Sequence, residues 1–409
     1  MTYYLLPKTN HFLSIKMNIQ HENLEPYLSP SLFFFYQKLS HQLTSLSFTK
    51  EENEYIYEKN VENISKIFHP YEYIFKKIPN SKLSVSKLKF QKEIFYEFYE
   101  MNKTIYLLED FSKKNISILN ISPNSNSVQD CIEFIRDNKN DEYISNSSFN
   151  FSSFIEEIHN NNNNNNNNKH SNEKENITLN PTEKKFDFIF YELEKEKYEN
   201  INDYVIGLIQ IIMIILKTQK ENGSCIIKLN AVFFKPIVDC IYLLSSFYQK
   251  TYIIKPIINN VSTFYKYIIC KNFIDDPSSI SQQNQRSQYY EKLNYYLNKL
   301  KDFQKKESDL PFYISSLFDY SLPCYFMTKI NDININIGQQ QLDTIQQMIA
   351  FFKNKNKEKI NQLIKMHIYK CIKWCDKFKI PYNINLNGLL NTNININTIQ
   401  IHRNEEDVT

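Results

Sequence analysis

The stretch that decides the fold is Gly223–Asn230, GSCIIKLN, together with the run that follows it. A short apolar segment here carries one lysine, Lys228, near its C-terminal end. After a helical pattern come two more apolar segments, TYIIKP at 251–256 and FYKYIICK at 264–271. A charged side chain at the end of a buried strand is costly unless it serves a ligand crevice there. Lys228 is therefore the first candidate for a functional residue.

The segments around this stretch extend the same pattern. FDFIFY at 186–191 is a short apolar strand that ends at Glu192, and a long helix is expected from 200 to 220, with Gly223 as its C-cap. Strands that alternate with helices predict an α/β fold, with a mostly parallel sheet and helices on both faces. The predicted strands are 104–108, 186–191, 225–229, 251–255 and 264–270, with a further short element at 115–120 and a helix at 236–248.

These motifs resemble the FtsJ-like (RrmJ-like) S-adenosylmethionine-dependent RNA 2′-O-methyltransferases. The family has a "GG-x-x-x-x-K" strand, a "KP-x-x-S-R" segment and an "S-x-E-x-Y-x-V" final strand, and the likeness is nearest to the asfarvirus-type methyltransferases of large DNA viruses. The resemblance implies a seven-stranded Rossmann-like sheet over about 104–271. It requires the segments 104–108, 186–191 and 225–229 to lie side by side. The last two strands would form an antiparallel pair at the edge.

The family uses a Lys–Asp–Lys–Glu tetrad to position a ribose 2′-OH and draw off its proton. Carried over position by position, the third member falls on Lys228 and the second on Glu192. The first falls at Ile94, with Lys92 two residues earlier, and the fourth falls on Tyr265 where the family has glutamate. The resemblance thus implies Lys228, Glu192 and Lys92 as catalytic candidates.

The cofactor loop of this family follows the first strand and is rich in glycine, because only glycine allows the backbone to approach the methionine moiety. By the resemblance this loop is EDFSKK at 109–114, with Glu109, Phe111 and Ser112 as cofactor contacts. It contains no glycine, and its two lysines would oppose the positive sulfonium. We therefore expect S-adenosyl-L-methionine to bind weakly or not at all.

Composition bounds the remaining expectations. The chain has 409 residues, a net charge of +3 and seven cysteines at irregular spacing, so any basic surface must be local and a reduced protein of the cytoplasm or nucleus is expected. The Asn-rich stretch at 137–183 predicts a disordered insertion. We divide the chain into an N-terminal helical region (1–84), a methyltransferase domain (85–275) and a C-terminal helical extension (276–409). The apolar run 205–216 is short for a membrane span and is interpreted as a core helix.

Two further patterns have a functional and a structural interpretation. Lys255, Lys266 and Lys271 alternate with aromatic residues and would suit a groove for RNA. His367, Cys371 and Cys375 share one face of a predicted helix; helix core is favoured over a metal site, because structural zinc needs four ligands.

Three functions remain open at this point. The first is an active RNA 2′-O-methyltransferase with the mRNA cap as a candidate substrate, the second is an inactive relative that binds RNA or protein, and the third is an unrelated helical interaction protein. Cofactor binding separates the first two, and a parallel sheet excludes the third.

Overall fold

The chain folds around one large sheet, seen in a computed structural model. The structure describes residues 2–9, 13–47, 64–79, 81–89, 92–112, 114–145, 184–193, 200–274, 280–306, 311–354 and 357–383. Its strands are β1 (Thr2–Leu5), β2 (Asn18–Gln20), β3 (Ser117–Ile121), β4 (Glu142–Ser145), β5 (Phe186–Tyr191), β6 (Gln219–Leu229), β7 (Tyr248–Lys255), β8 (Lys266–Phe273) and β9 (Tyr313–Ser316). Its helices are α1 (Pro30–Ser47), α2 (Glu93–Ile105), α3 (Ser125–Arg136), α4 (Ile201–Thr218), α5 (Lys235–Phe247), α6 (Ile280–Lys306), α7 (Cys324–Asn354) and α8 (Lys357–Phe378).

Seven of the described strands form the main sheet in the order β1-β7-β8-β6-β5-β3-β4. Strands β4, β3, β5 and β6 are parallel, whereas β8 is antiparallel to both of its neighbours, β6 and β7. The predicted Rossmann-like α/β fold is confirmed, and the unrelated helical protein is excluded. The antiparallel pair is also confirmed, although β1 covers β7 and takes the edge.

Side chains alternate between the two faces of the sheet, as they do in any strand. On β6, Ile227 and Leu229 point into one core with α4 and α5, while Ile226 points into a second core with α2 and α8. Lys228 lies between Ile227 and Leu229 and so faces the second side. This register places Lys228 on the side of α2.

The predicted first strand, 104–108, is wrong. Helix α2 continues to Ile105, and Tyr106 ends it in a left-handed conformation with φ 54°. Asn102 then holds the turn, because its side-chain oxygen accepts from the Leu108 N–H at 2.9 Å. The apolar leucines that suggested a strand are buried beneath this turn. The place beside β5 belongs to β3 (117–121), so 104–108, 186–191 and 225–229 do not lie side by side as the resemblance required.

Gly223 also differs from its predicted role. It lies inside β6, where the register against β5 is irregular, and α4 has already ended at Thr218. A Cβ on Gly223 would stand 2.8 Å from the Lys220 carbonyl oxygen and 2.9 Å from that of Asp187. The glycine thus permits a close approach of two backbones rather than capping a helix.

Strands pair across the boundaries between the three predicted regions. The N-terminal segment supplies β1 to the main sheet, and β2 pairs with β9 of the C-terminal segment. Strand β4 forms within the predicted insertion, whose remainder, 146–183, lies outside the described residues. Helix α4 is long and apolar enough to cross a membrane, but two thirds of it is buried against the sheet and neighbouring helices, as expected of a core helix. The division into three domains stays a prediction.

Candidate functional site

Glu192 and Lys228 meet at the carboxyl edge of the parallel strands. Glu192 follows the last residue of β5, and Lys228 is the penultimate residue of β6, the neighbouring strand. The Lys228 ammonium donates to Glu192 Oε1 at 2.7 Å. The lysine side chain is 14% exposed and that of the glutamate 8%. This is a largely buried ion pair, placed where open α/β sheets bind their ligands.

Lys92, the residue that precedes α2, also lies at this site. Its ammonium donates to Asn124 Oδ1 at 3.1 Å, and Asn124 Nδ2 contacts Glu192 Oε2 at 3.4 Å. Asn124 belongs to the turn between β3 and α3, so this turn joins Lys92 to the ion pair. The structure therefore brings together the three residues predicted from the sequence.

Helix α2 adds two carboxylates that the motif comparison did not assign. Glu93 and Glu97 lie one helical turn apart and line the cavity that contains Lys228. Glu97 accepts a hydrogen bond from Tyr267 Oη at 2.6 Å, and Tyr267 is directly opposite Lys228 in the β6–β8 register. Helix α2 therefore supplies carboxylates beside Lys228, and the position where the family has its fourth carboxylate is Tyr265. Charged residues on the buried face of an amphipathic helix were the signal for these carboxylates in the sequence.

The carboxylates keep Lys228 charged. Burial by itself lowers the pKa of Lys228, but the negative charges of Glu97 and Glu192 outweigh burial and raise that pKa above its ordinary value. Burial raises the pKa of Glu97, which is also raised by the nearby charge of Glu93. Around neutral pH Lys228 is therefore a charged ammonium group, which donates hydrogen bonds and does not accept a proton.

A cavity of about 480 Å³ opens onto this cluster. Its inner wall carries Lys228 and Tyr265, whose ring centroid is 4.9 Å from the Lys228 nitrogen. Its lining also includes Lys66, Lys76 and Lys92, of which Lys76 and Lys92 are exposed. The volume is that of a small-molecule or nucleotide site, with exposed positive groups next to solvent and the buried carboxylate of Glu97 inside.

The loop 256–265 forms one wall of the cavity and is held by α2. Glu100 accepts from the Ile257 and Ile258 N–H groups at 2.7 and 3.2 Å, Glu97 accepts from Asn259 Nδ2, and Glu93 accepts from the Asn260 N–H at 3.1 Å. These glutamates follow the i, i+4, i+7 spacing of one helix face. The wall of the cavity is therefore fixed by the carboxylates of α2 together with Ile258, which is buried in the second core.

The predicted RNA groove of Lys255, Lys266 and Lys271 is wrong, because all three side chains are buried. The Lys255 side-chain nitrogen lies within hydrogen-bond distance of four oxygens of the loop 256–265, including the Thr263 carbonyl at 2.8 Å. Lys266 donates to the Asn230 carbonyl at 3.0 Å. Burial lowers the pKa of Lys255 and of Lys266 to about 7. These lysines hold the backbone together and do not line a surface.

The predicted cofactor contacts Glu109, Phe111 and Ser112 lie near the amino ends of the parallel strands, opposite the candidate site. Glu109 and Ser112 are exposed, while Phe111 is buried and its carbonyl accepts from Arg136 at 3.0 Å. The neighbouring Lys114 pairs with Asp187, at the amino end of β5, at 2.8 Å. The cause of this error is the misplaced first strand, since the loop was counted from 104–108 instead of from β3.

The turn that does follow the first parallel strand is Ser122–Asn124. It contains no glycine, and the Ser122 hydroxyl donates to Glu192 Oε2 at 2.7 Å, next to the Asn124 contact. Two side chains therefore fill the approach that a glycine loop leaves open for a methionine moiety. These residues do not fit S-adenosylmethionine in the way that the resemblance implies.

His367, Cys371 and Cys375 are buried on α8 in the second core. This agrees with the helix-core interpretation. Among the residues that the structure describes, no group of three or more His, Cys, Asp or Glu side chains is arranged to hold a metal ion.

No family model matches the chain, and no curated protein matches it. Among solved structures, the chain is similar to a protein assigned as a ribosomal RNA methyltransferase from Plasmodium falciparum. The two are 16% identical with a TM-score of 0.30, over 45% of this chain and 98% of that chain. At this TM-score the likeness carries no argument about the fold or the function of this chain. The FtsJ-like and viral relationships stay predictions.

Proposed function

We propose that the protein binds RNA at this cavity, with the residues that a 2′-O-methyltransferase uses on the ribose side of its site, and without efficient use of S-adenosylmethionine. The observation that carries the proposal is the linked array of Lys92, Asn124, Glu192 and Lys228 at the carboxyl edge of the sheet. Lysines at the mouth suit phosphate groups, and the inner groups suit a sugar hydroxyl.

The chemistry of the array favours binding over proton abstraction. A hydroxyl can donate to a carboxylate and accept from an ammonium at once, so a ribose 2′-OH matches Glu192 and Lys228 together. A lysine can act as a general base only if its amine is unprotonated, and so neutral, near the working pH. The raised pKa of Lys228 opposes that role and supports the role of a fixed donor.

Replacement of Lys228 by methionine should abolish the preference for RNA over DNA. We expect the native protein to bind a single-stranded RNA of about 20 nucleotides roughly tenfold more tightly than DNA of the same sequence, because a site that hydrogen-bonds a hydroxyl is left unpaired without it. The ratio should fall to about one in Lys228→Met. Fluorescence anisotropy with labelled oligonucleotides measures both affinities.

The matched control is Lys220→Met. Lys220 lies on the same strand and pairs with Asp187 of β5 at 2.6 Å, but at the amino edge of the sheet. Since removal of Lys228 leaves Glu192 buried without its partner, the melting temperature of both variants is measured as well. A folded Lys228→Met that keeps the native RNA preference, or a Lys220→Met that loses it, would contradict the proposal.

We expect S-adenosylmethionine to bind with a dissociation constant above 1 mM, equivalent to less than about 4 kcal/mol of binding free energy. Calorimetric titration with S-adenosylmethionine and S-adenosylhomocysteine measures this directly. Micromolar binding would favour the alternative, an active RNA 2′-O-methyltransferase, and methyl transfer to capped and uncapped RNA would then test action on the mRNA cap.

A further inference from the structure

The segment 76–92 presents positive charge without any negative charge. Within it the side chains of Lys76, Lys77, Lys82, Lys87, Lys89 and Lys92 are all exposed, and no aspartate or glutamate occurs. The whole chain has a net charge of only +3, so this concentration is local.

Helix α8 and the residue after it present a second such face. Lys359, Lys373, Lys377 and Lys379 are exposed, and Lys365 and Lys370 are half-buried. Between 359 and 379 the sole acid is Asp376, which accepts a hydrogen bond from Tyr382. Two large apolar side chains, Met366 and Tyr369, are 44% and 52% exposed on the same helix.

These two elements lie side by side and join the cavity. The Lys87 N–H donates to the Pro381 carbonyl at 2.9 Å, and the Asn383 N–H donates to the Val85 carbonyl at 3.0 Å. Helix α8 also packs on the 3-10 turn Glu72–Ile74, beside the cavity wall. Lys76 and Lys92 belong both to the segment 76–92 and to the lining of the cavity. The positive surface therefore continues into the mouth of the cavity.

We infer that this surface, formed by 76–92 and 359–379 and called the lysine surface below, binds the single-stranded RNA that flanks the nucleotide in the cavity. Several exposed lysines suit the repeated phosphates of a nucleic acid strand. The exposed Tyr369 ring, which has the Lys373 ammonium 4.5 Å from its centroid on one side, offers its other face to a stacked base. The inference rests on the proposed function only for the identity of the ligand as RNA. It assigns a nucleic-acid contact to the C-terminal helix, outside the predicted methyltransferase domain.

The test compares two triple variants that remove equal charge. Lys82→Gln, Lys87→Gln and Lys373→Gln remove three positive charges from the lysine surface and leave the residues that line the cavity unchanged. Lys250→Gln, Lys299→Gln and Lys301→Gln neutralise exposed lysines elsewhere, on the amino end of β7 and on α6, which packs against the other core. Both are purified as full chains, and their melting temperatures confirm folding. Anisotropy titrations with a 20-nucleotide RNA, repeated from 50 to 200 mM KCl, give the affinity and its salt dependence.

We expect the surface variant to bind RNA about tenfold more weakly and the slope of log K against log salt to fall by about 2, since each lost contact to a single strand removes about 0.7. The control variant should keep the native affinity within about twofold. Equal losses in the two variants, or no loss in either, would overturn the inference. Because the lysine surface reads phosphates, DNA binding should fall in parallel with RNA binding, even if Lys228 proves to have no part in ribose recognition.

A substitution of Tyr369 tests the stacking contact. Tyr369→Ala should weaken RNA binding about fivefold while leaving the salt slope unchanged, since a stacking contact carries no charge.

Other polyanions separate the possible partners. Polyglutamate or vesicles of phosphatidylserine that bind as tightly as RNA, with the same dependence on the three surface lysines, would overturn the assignment to RNA.

Discussion

Replacing Glu100 by leucine is expected to lower the free energy of unfolding by about 3–5 kcal/mol, because it leaves several buried donors without an acceptor. Glu100 is fully buried on α2 and accepts from the Ile257 and Ile258 N–H groups and from Trp374 Nε1 at 2.8 Å. These bonds tie α2 to the cavity wall and to α8 at once. The loss is thus larger than that from a single surface hydrogen bond.

Urea unfolding followed by fluorescence measures this change, since Trp374 is the sole tryptophan of the chain and contacts the altered residue. Glu100→Gln retains an acceptor and should lose less stability than Glu100→Leu. Glu109→Leu, at an exposed carboxylate near the other edge of the sheet, should change stability by no more than about 0.5 kcal/mol. Equal stability of Glu100→Leu and the native protein would show that the carboxylate does not hold the loop.

Acid should destabilise the protein through His367, by about 2 kcal/mol between pH 7 and pH 5. Burial lowers the pKa of His367 to about 3, with smaller contributions from Lys370 and His69. In the unfolded chain the imidazole titrates near pH 6.5. Below that pH the unfolded state binds a proton that the folded state does not, so stability is lost as the pH falls from 6.5 towards 3.

The measurement is the free energy of unfolding at pH 7 and pH 5 for the native protein and His367→Leu. The raised pKa values of buried Glu97 and Glu100 act in the opposite direction, and both proteins share them. The difference between the two pH dependences therefore isolates His367. A native protein and variant that lose equal stability on acidification would mean that His367 is protonated in the folded state or exposed to water.

Strands β5 and β6 could be predicted because each has a recognisable apolar pattern within a few neighbouring residues. FDFIFY is buried on both faces and forms β5 at its predicted bounds, and the run to Leu229 ends β6 as expected. In contrast, TIYLL carries the same β-branched and aromatic residues and forms the end of α2 and a turn. The helix and turn are formed here because Asn102 accepts a hydrogen bond from the Leu108 N–H and Tyr106 adopts a left-handed conformation. Apolar periodicity indicates neither feature.

The site divides in the same way. Lys228 follows from the sequence pattern, because a charged residue at the end of an apolar strand can be placed at the carboxyl edge of a parallel sheet before the sheet is seen. Glu192 was assigned through the family resemblance. Lys92 was within two residues of its motif position, but its approach to Asn124 depends on how α2 crosses the sheet. The lysines at 255, 266 and 271 were predicted to line a surface and are internal, because their burial depends on carbonyl oxygens that distant segments of the folded chain supply. These oxygens belong to Thr263 for Lys255, to Asn230 for Lys266, and to Ile105 and Tyr106 for Lys271.

The sequence by itself determined the alternation of strands and helices and the place of Lys228 at the carboxyl edge, because hydrophobic burial and strand period act over a few neighbouring residues. Only the tertiary structure decided which strand lies beside β5, that α2 supplies the carboxylates around Lys228, and that 76–92 and α8 combine into one positive surface. These features join residues up to about 300 positions apart, such as Lys87 and Pro381. Their energy comes from contacts between distant segments, and no local pattern records it.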